Sequence, residues 1–562
     1  MMAGKWRYPT LMAGFLLLGG CNDNDTGALC EGTEDASVSR IFLQKLSDTS
    51  VTLKWRGNAD VACLGTAGDA LSIRVEAVTT EADHREATVA NLEPDTRYFY
   101  SIGGAATAPA EQSFKTAPTT GSSPADDGNV RIWIVGDSGT AGYQDKNDPD
   151  GDYQHYQEQA TAVMQGMQTW INKNDQQPVD LFLMLGDNAY NVGGDVNYQE
   201  AVFDVYTDLL KSAAVIPTIG NHEMGSANFF GSYAGGVSIS SDPNTWTAED
   251  ADDSTPKQRM PYLDIFSLPT NAESGGVASG TEQYYSLDYG NVHVVSLDSQ
   301  LSARDPAQLA TMKAWLQNDL DANNSDWTIV IFHHPAYSKG ENHDSDDADT
   351  GFYGVKIDGP MQTMREEFTP LFEQYGVDVV YSGHSHSYER SYYLHGHTGE
   401  SDSFDAHSLQ VEHVDPANLF SAAATQEYYQ LSPTSGGVDN RVVYTVAGNG
   451  GKADTCGDQY GITSNSEWLQ HPAFVVQNHY QVPFNTAASM ADECVVDLND
   501  DDTLDAEERA AAFAALAGPR RGLPMIGSVL VDADAHHLVA QMINQEGDVM
   551  DRFVVYKGGT AQ

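Results

Sequence analysis

Seven side chains able to hold metal ions fall where short apolar runs stop. Val130 to Val135 ends in Gly136-Asp137, and Leu181 to Leu185 ends in Gly186-Asp187, with Tyr190 three residues on. Val215 to Ile219 ends in Gly220-Asn221-His222, and Trp327 to Phe332 ends in His333-His334. Val379 to Tyr381 leads through Ser382 to Gly383-His384 and then His386. Carboxylates, an amide oxygen, a phenol and imidazoles suit borderline-hard divalent and trivalent ions. No thiolate joins them, which argues against a structural zinc site. Seven donors exceed the needs of one tetrahedral ion. They suit two ions about 3.5–4 Å apart that share a carboxylate.

Such donors need a scaffold whose strands end on one edge. The apolar runs alternate with helix-like stretches over 154–173, 198–211, 306–320 and 360–375, a pattern that predicts an α/β fold. In open α/β sheets, ligands bind where the strands stop. Upstream, residues 37–116 read as a small β domain. Val51-Thr52-Leu53-Lys54-Trp55 alternates with period two. Leu92 to Tyr100 resembles the corner of a fibronectin type III sandwich, where a tyrosine closes the fold. The Pro-, Gly- and Ser-rich stretch 117–128 reads as a linker, and 129–562 as the second domain. Within it, 391–440 reads as a loop-rich insertion without periodicity, and Gly527 to Tyr556 as closing strands. His334 adjoins a donor, but strand alternation sends it to the other face as a packed, hydrogen-bonded histidine.

Five motifs carry a family resemblance. Gly136-Asp137-Ser138-Gly139, Gly186-Asp187-Asn188-Ala189-Tyr190, Gly220-Asn221-His222-Glu223, Val330-Ile331-Phe332-His333 and Gly383-His384-Ser385-His386 occur in this order. Together they resemble the motifs of the purple acid phosphatases, a branch of the metallophosphoesterases, over about 130–450. The resemblance implies a metallophosphoesterase-like βαβ sandwich preceded by a fibronectin type III-like sandwich. It implies that Asp137, Tyr190 and His386 hold a ferric ion. Asn221, His333 and His384 would hold a divalent partner, zinc, manganese or iron, and Asp187 would bridge. Tyr190 sets this branch apart, because a phenolate is a hard donor to Fe(III) whose charge transfer colours the protein. Gly139 fits the same branch; other members of the superfamily place a ligating histidine there.

The implied reaction is acid phosphatase chemistry on small phosphate monoesters, with metal-bound hydroxide attacking phosphorus in line. His222 and His343 are the implied histidines beside the metals and substrate, and candidates for protonating the leaving oxygen. Tyr388, Glu389 and Arg390 follow the last motif, where a structural salt bridge is at least as good a reading as catalysis. Two alternatives stay open: a phosphodiesterase or nucleotide hydrolase on the same bimetal centre, and a surface adhesion or calcium-binding protein on an inactive scaffold.

The chain has 80 acidic and 29 basic residues in 562, a formal net charge of −51. That surface repels phosphate backbones, which argues against sequence-independent nucleic-acid binding and against a polybasic membrane patch. It reads as solvation in a salty exterior. Lys5, Arg7 and the short apolar run Leu11 to Leu18 read as an export signal. Leu18-Gly19-Gly20-Cys21 resembles a bacterial lipobox, so Cys21 is the expected lipidation site and 21–36 a tether. A lipid is then the one membrane contact expected of an exported, outer-membrane or periplasmic lipoprotein. The other cysteines, Cys30, Cys63, Cys456 and Cys494, allow three pairings. The parsimonious one is Cys30–Cys63 with Cys456–Cys494. Finally, Asp497, Asn499, Asp501, Thr503, Asp505 and Glu508 occupy positions 1, 3, 5, 7, 9 and 12 of an EF-hand-like loop. Asp502 replaces the turn glycine there, so a calcium site and a solvated acidic loop are equally good readings.

Overall fold

A computed structural model describes residues 30–31, 37–142, 152–174, 177–190, 193–224, 248–250, 253–257, 260–340, 343–346, 358–405, 426–430, 441–453, 467–477, 506–516 and 520–557. Two mixed sheets pack face to face. In the larger, Val130–Val135, Leu181–Met184 and Ala214–Pro217 run parallel in that order. Gly527–Ala533, His537–Asn544 and Val549–Lys557 extend it antiparallel on the Val130 side. In the smaller, Val292–Ser296, Trp327–Ile331, Val379–Ser382 and Val442–Ala447 run parallel. Tyr285–Tyr289 and Tyr388–Leu394 close its edges antiparallel.

Strand alternation explains the layering. Ile329 and Ile331 share one buried cluster with Trp133, Leu181 and Leu183 of the facing sheet. Val330 and Phe332 point the other way, into a cluster with Met312, Trp315, Phe368 and Phe372 of the covering helices. The helix Pro306–Ala322 starts where Asp305 caps the amides of Ala307 and Gln308, with Pro306 in the first turn.

The stretches 198–211 and 360–375 are not single helices. Each contains a wide five-residue π turn, Gln199–Phe203 and Met364–Phe368. The second is followed by Thr369–Tyr375, with Pro370 in its first turn. Proline offers no N–H to a carbonyl one turn back, so the regular ladder stops and restarts there. The 391–440 stretch is also more regular than expected. It holds the end of Tyr388–Leu394 and the strand Gln426–Gln430, which pairs parallel with Val549–Lys557.

The N-terminal unit has two antiparallel sheets. One comprises Val38–Gln44, Ser50–Gly57, His84–Ala90 and Val78–Thr79. The other has the order Ile73–Glu76, Val61–Gly65, Arg97–Ile102, Ser113–Lys115. The Tyr98 hydroxyl accepts the amide of Glu93 at 3.0 Å, and Cys30 is bonded to Cys63. The first sheet does not stop at its own boundary: Leu43 pairs in parallel with Ala214, joining it to the large sheet. Arg40 and Arg56 clasp Asp195 of the neighbouring layer at 2.7 and 2.6 Å.

Cys21, Cys456, Cys494, Asp497, Asn499, Asp501, Thr503 and Asp505 lie outside the described residues. Glu508 is buried in the helix Ala506–Leu516. Among the described residues, no helix is long and apolar enough to cross a membrane.

Candidate metal centre

The parallel strands of both sheets deliver their C-terminal ends to one place. Asp137, Asp187 and His384 all leave their strands with positive φ, 53°, 51° and 69°. This conformation is uncommon for such residues and is held by the surrounding hydrogen bonds. Glu223 supplies three of those bonds: its buried carboxylate accepts the amides of Asp187 at 3.0 Å, Asn188 at 2.7 Å and Gly220 at 2.6 Å. Burial and then the charge of Asp187 push the Glu223 carboxyl up to about 8. Its place in the Gly-Asn-His-Glu motif is therefore that of a tie between two donor loops. Gly139 leaves no room for any side chain, since a Cβ would lie 2.4 Å from the amide nitrogen of Ala189.

The seven sequence-predicted donors converge. The Tyr190 hydroxyl donates to Asp137 Oδ1 at 3.1 Å and lies 3.5 Å from His386 Nε2, which is 3.6 Å from Asp137 Oδ1. His333 Nε2 is 2.9 Å from Asn221 Oδ1 and 3.4 Å from Asp187 Oδ1. His384 Nδ1 is 3.0 Å from the same Asn221 oxygen. Asp137, Asp187 and His333 each offer an atom within 4.8 Å of the others.

The protons of the two imidazoles are committed elsewhere. His333 Nδ1 donates to the carbonyl of Leu185 at 2.9 Å, and His384 Nε2 donates to Asp358 at 2.9 Å. Burial lowers the pKa of both rings, so they are neutral. Their remaining nitrogens then present lone pairs to the oxygens of Asn221 and Asp187. Acceptors facing acceptors at this range need cations between them. The two buried carboxylates say the same. Burial and the neighbouring Asp187 raise Asp137 well above the usual carboxylate range. Burial opposes ionisation of Asp187 too, so a cation between the two carboxylates would suit both. Nitrogen and oxygen donors without thiolate, in two groups around Asp187, fit a dinuclear metal centre.

His222 and His343 stand at the edge of this cluster. His222 Nε2 is 3.8 Å from Asp187 Oδ2, and its ring meets that of Tyr190 edge-on at 4.5 Å. The His343 ring lies 3.6 Å from that of His384, with Nδ1 donating to Asp358 at 3.0 Å. His334 is packed and hydrogen-bonded to Ser299 at 2.9 Å, but not on the far face. Its ring lies 4.4 Å from that of His384, because the strand ends at Ile331 and alternation ends with it. Tyr388 and Arg390 both bond Asp551, at 2.8 and 2.5 Å, and Glu389 accepts from Ser338 and Ser387. These three are structural.

Two residues were missed. Asp358 belongs to no strand-end motif and carried no sequence signal. Lys452 did: Val442–Ala447 runs into Gly448-Asn449-Gly450-Gly451-Lys452, the same apolar-run-then-glycine pattern as the donors. Its ammonium lies 4.6 Å from the Tyr190 ring centroid.

Comparison with known proteins agrees with this geometry. Residues 130–388 match the family described as calcineurin-like phosphoesterase. The chain is 28% identical over 306 residues to purple acid phosphatase 22 of Arabidopsis thaliana, covering 53% of this chain and 51% of the relative. It is 23% identical over 370 residues to the probable purple acid phosphatase 20 of the same plant, covering 64% and 66%. The chain thus spans about half to two thirds of the length of these relatives. The structure of purple acid phosphatase PPD1 from yellow lupin seeds shares the fold, with a TM-score of 0.55 and 16% identity over 93% of this chain and 74% of that one. Residues 130–388 are thus similar to calcineurin-like phosphoesterases, and the chain as a whole to the purple acid phosphatases, in strand-end donors and in fold.

Proposed function

We propose that the protein hydrolyses small phosphate monoesters at a centre of one ferric and one divalent ion, zinc, manganese or iron. The observation that carries this is the convergence of seven donors, with the ring protons of His333 and His384 pointing away from their common centre. Asp137, Tyr190 and His386 form one group, Asn221, His333 and His384 the other, with Asp187 between. When bound, the ions supply Lewis acidity and a water acidic enough to attack phosphorus in line. The protein's own part is positioning. Leu185 and Asp358 fix which nitrogen of each imidazole faces inward. His343 has its Nδ1 proton engaged by Asp358, so the ring delivers a proton to the leaving oxygen only from its doubly protonated form, which gives up the Nε2 proton and returns to the neutral ring. His222 holds its ring against Tyr190 and screens the Asp187 side.

The test is metal analysis of the isolated full chain together with turnover on a monoester and a matching diester. About two transition-metal ions per chain and preferred monoester turnover are expected. Fewer ions would revive an inactive scaffold, and preferred diester turnover would make the enzyme a phosphodiesterase.

The N-terminal unit, as a fibronectin type III-like sandwich, serves as a brace for the catalytic layers. Its sheet order and the Tyr98–Glu93 bond support that role. Export with a lipid on Cys21 is proposed from the Leu18-Gly19-Gly20-Cys21 stretch, and the Cys30–Cys63 bond fits an oxidising compartment. Cys21→Ser should release the protein from membranes into the soluble fraction; a variant that stays bound would exclude this anchor.

A further inference from the structure

The loop after Val442–Ala447 is sewn to the Asp137 loop. The Gly450 amide donates to the Gly136 carbonyl at 2.9 Å, and the Thr140 hydroxyl donates to the Gly451 carbonyl at 2.9 Å. A Cβ on Gly451 would lie 2.5 Å from Thr140 Oγ1 and 2.7 Å from the Asp137 carbonyl, so the backbones are in direct contact. The next residue, Lys452, is partly buried, with its ammonium 4.6 Å from the Tyr190 ring centroid. The hydroxyl of that same tyrosine is 3.1 Å from Asp137. The fold therefore brings a cation on a flexible four-carbon stem to the rim of the donor cluster, in a chain of net charge −51.

We propose that Lys452 is a phosphoryl-binding residue, its ammonium holding a phosphate oxygen beside Tyr190 and favouring dianionic monoesters over monoanionic diesters. This rests on the reading of the centre as a phosphoester hydrolase. The physical basis is charge. Above neutral pH a phosphate monoester carries close to two negative charges, because its second pKa is near 6. A diester carries one. A nearby ammonium therefore gains more from the monoester, in a site where partial burial weakens solvent screening. A cation that only braced the Tyr190 ring would show no such preference.

The test uses the full-length metal-loaded protein and the variants Lys452→Met, Lys452→Gln and Lys452→Arg. Binding of inorganic phosphate is read by calorimetry, and kcat and KM on para-nitrophenyl phosphate and bis-para-nitrophenyl phosphate. Metal content and visible absorbance report that the centre is loaded. Lys452→Met should raise both the phosphate Kd and the monoester KM about tenfold, with diester KM changed less than about twofold. Lys452→Gln, which keeps the stem over Tyr190, should behave alike, and Lys452→Arg should restore most of the affinity. A phosphate Kd unchanged in both neutral variants overturns the proposal, as does equal weakening of monoester and diester. If the wild type hydrolyses neither ester, the functional reading falls, while the phosphate Kd comparison still decides the role of Lys452.

Discussion

Asp358 Oδ1 lies 2.9 Å from His384 Nε2, on the side of the imidazole away from Asn221. The same carboxylate accepts from His343 at 3.0 Å, so one buried acid orients both a candidate metal donor and the candidate proton carrier. Removing it frees His384 to rotate or to protonate Nδ1. Asp358→Ala should lower metal affinity about 10–100-fold. Competition with a chelator checks this, and unchanged affinity would show that packing alone holds His384.

Tyr190→Phe removes the phenol oxygen while keeping the ring against His222 and Lys452. The wild type should carry a visible charge-transfer band that this variant lacks. A wild type with two bound metals and no band would sink the ferric assignment.

His293 is buried between Asp288 at 2.7 Å and Asp319 at 2.9 Å. Burial works against its charge, but the two acids carry its pKa up to about 9. The unfolded value is about 6.5, so the proton is bound more tightly in the folded state. The resulting stabilisation, on the order of 3 kcal/mol, is fully present below about pH 6.5 and lost as pH rises through about 9. Urea unfolding across that range should show the fall, and His293→Gln should flatten it. A wild-type profile as flat as the variant's would contradict the charged assignment.

Asp195 holds Arg40, whose side chain is 2% exposed, and Arg56 at once. Asp195→Ala leaves two guanidiniums close together without their shared counter-ion. Because Asp195 is itself 26% exposed, the cost should fall below that of a fully buried pair, at about 2 kcal/mol. A lowered urea midpoint at unchanged slope is the expected reading.

The donors were legible in the sequence because each one follows an apolar run, and a strand end is a local event. What the sequence hid was non-local. Asp358 reaches the centre from the turn before Gly359–Thr363, and nothing in its neighbours marks it. Other omissions had a local signal. Tyr285–Tyr289 and Val292–Ser296 are joined by Gly290-Asn291, a two-residue hairpin turn with Gly290 at a φ of 58°. The Val442–Ala447 strand ends in glycines as the donor strands do. His334 was misplaced by carrying alternation past the last strand residue. The π turns escaped because an apolar stripe continues through them while the hydrogen-bond ladder widens.

The pairing of Leu43 with Ala214 bears on how the chain tolerates truncation. The composition of 117–128 invites a cut there, yet cutting would strip the neighbour from Ala214–Pro217. That strand would then become an outer edge with apolar residues and unpaired amides facing water, a template for another copy to add to. Residues 129–562 produced alone should therefore self-associate through that edge, whereas the intact chain covers it with its own first strand.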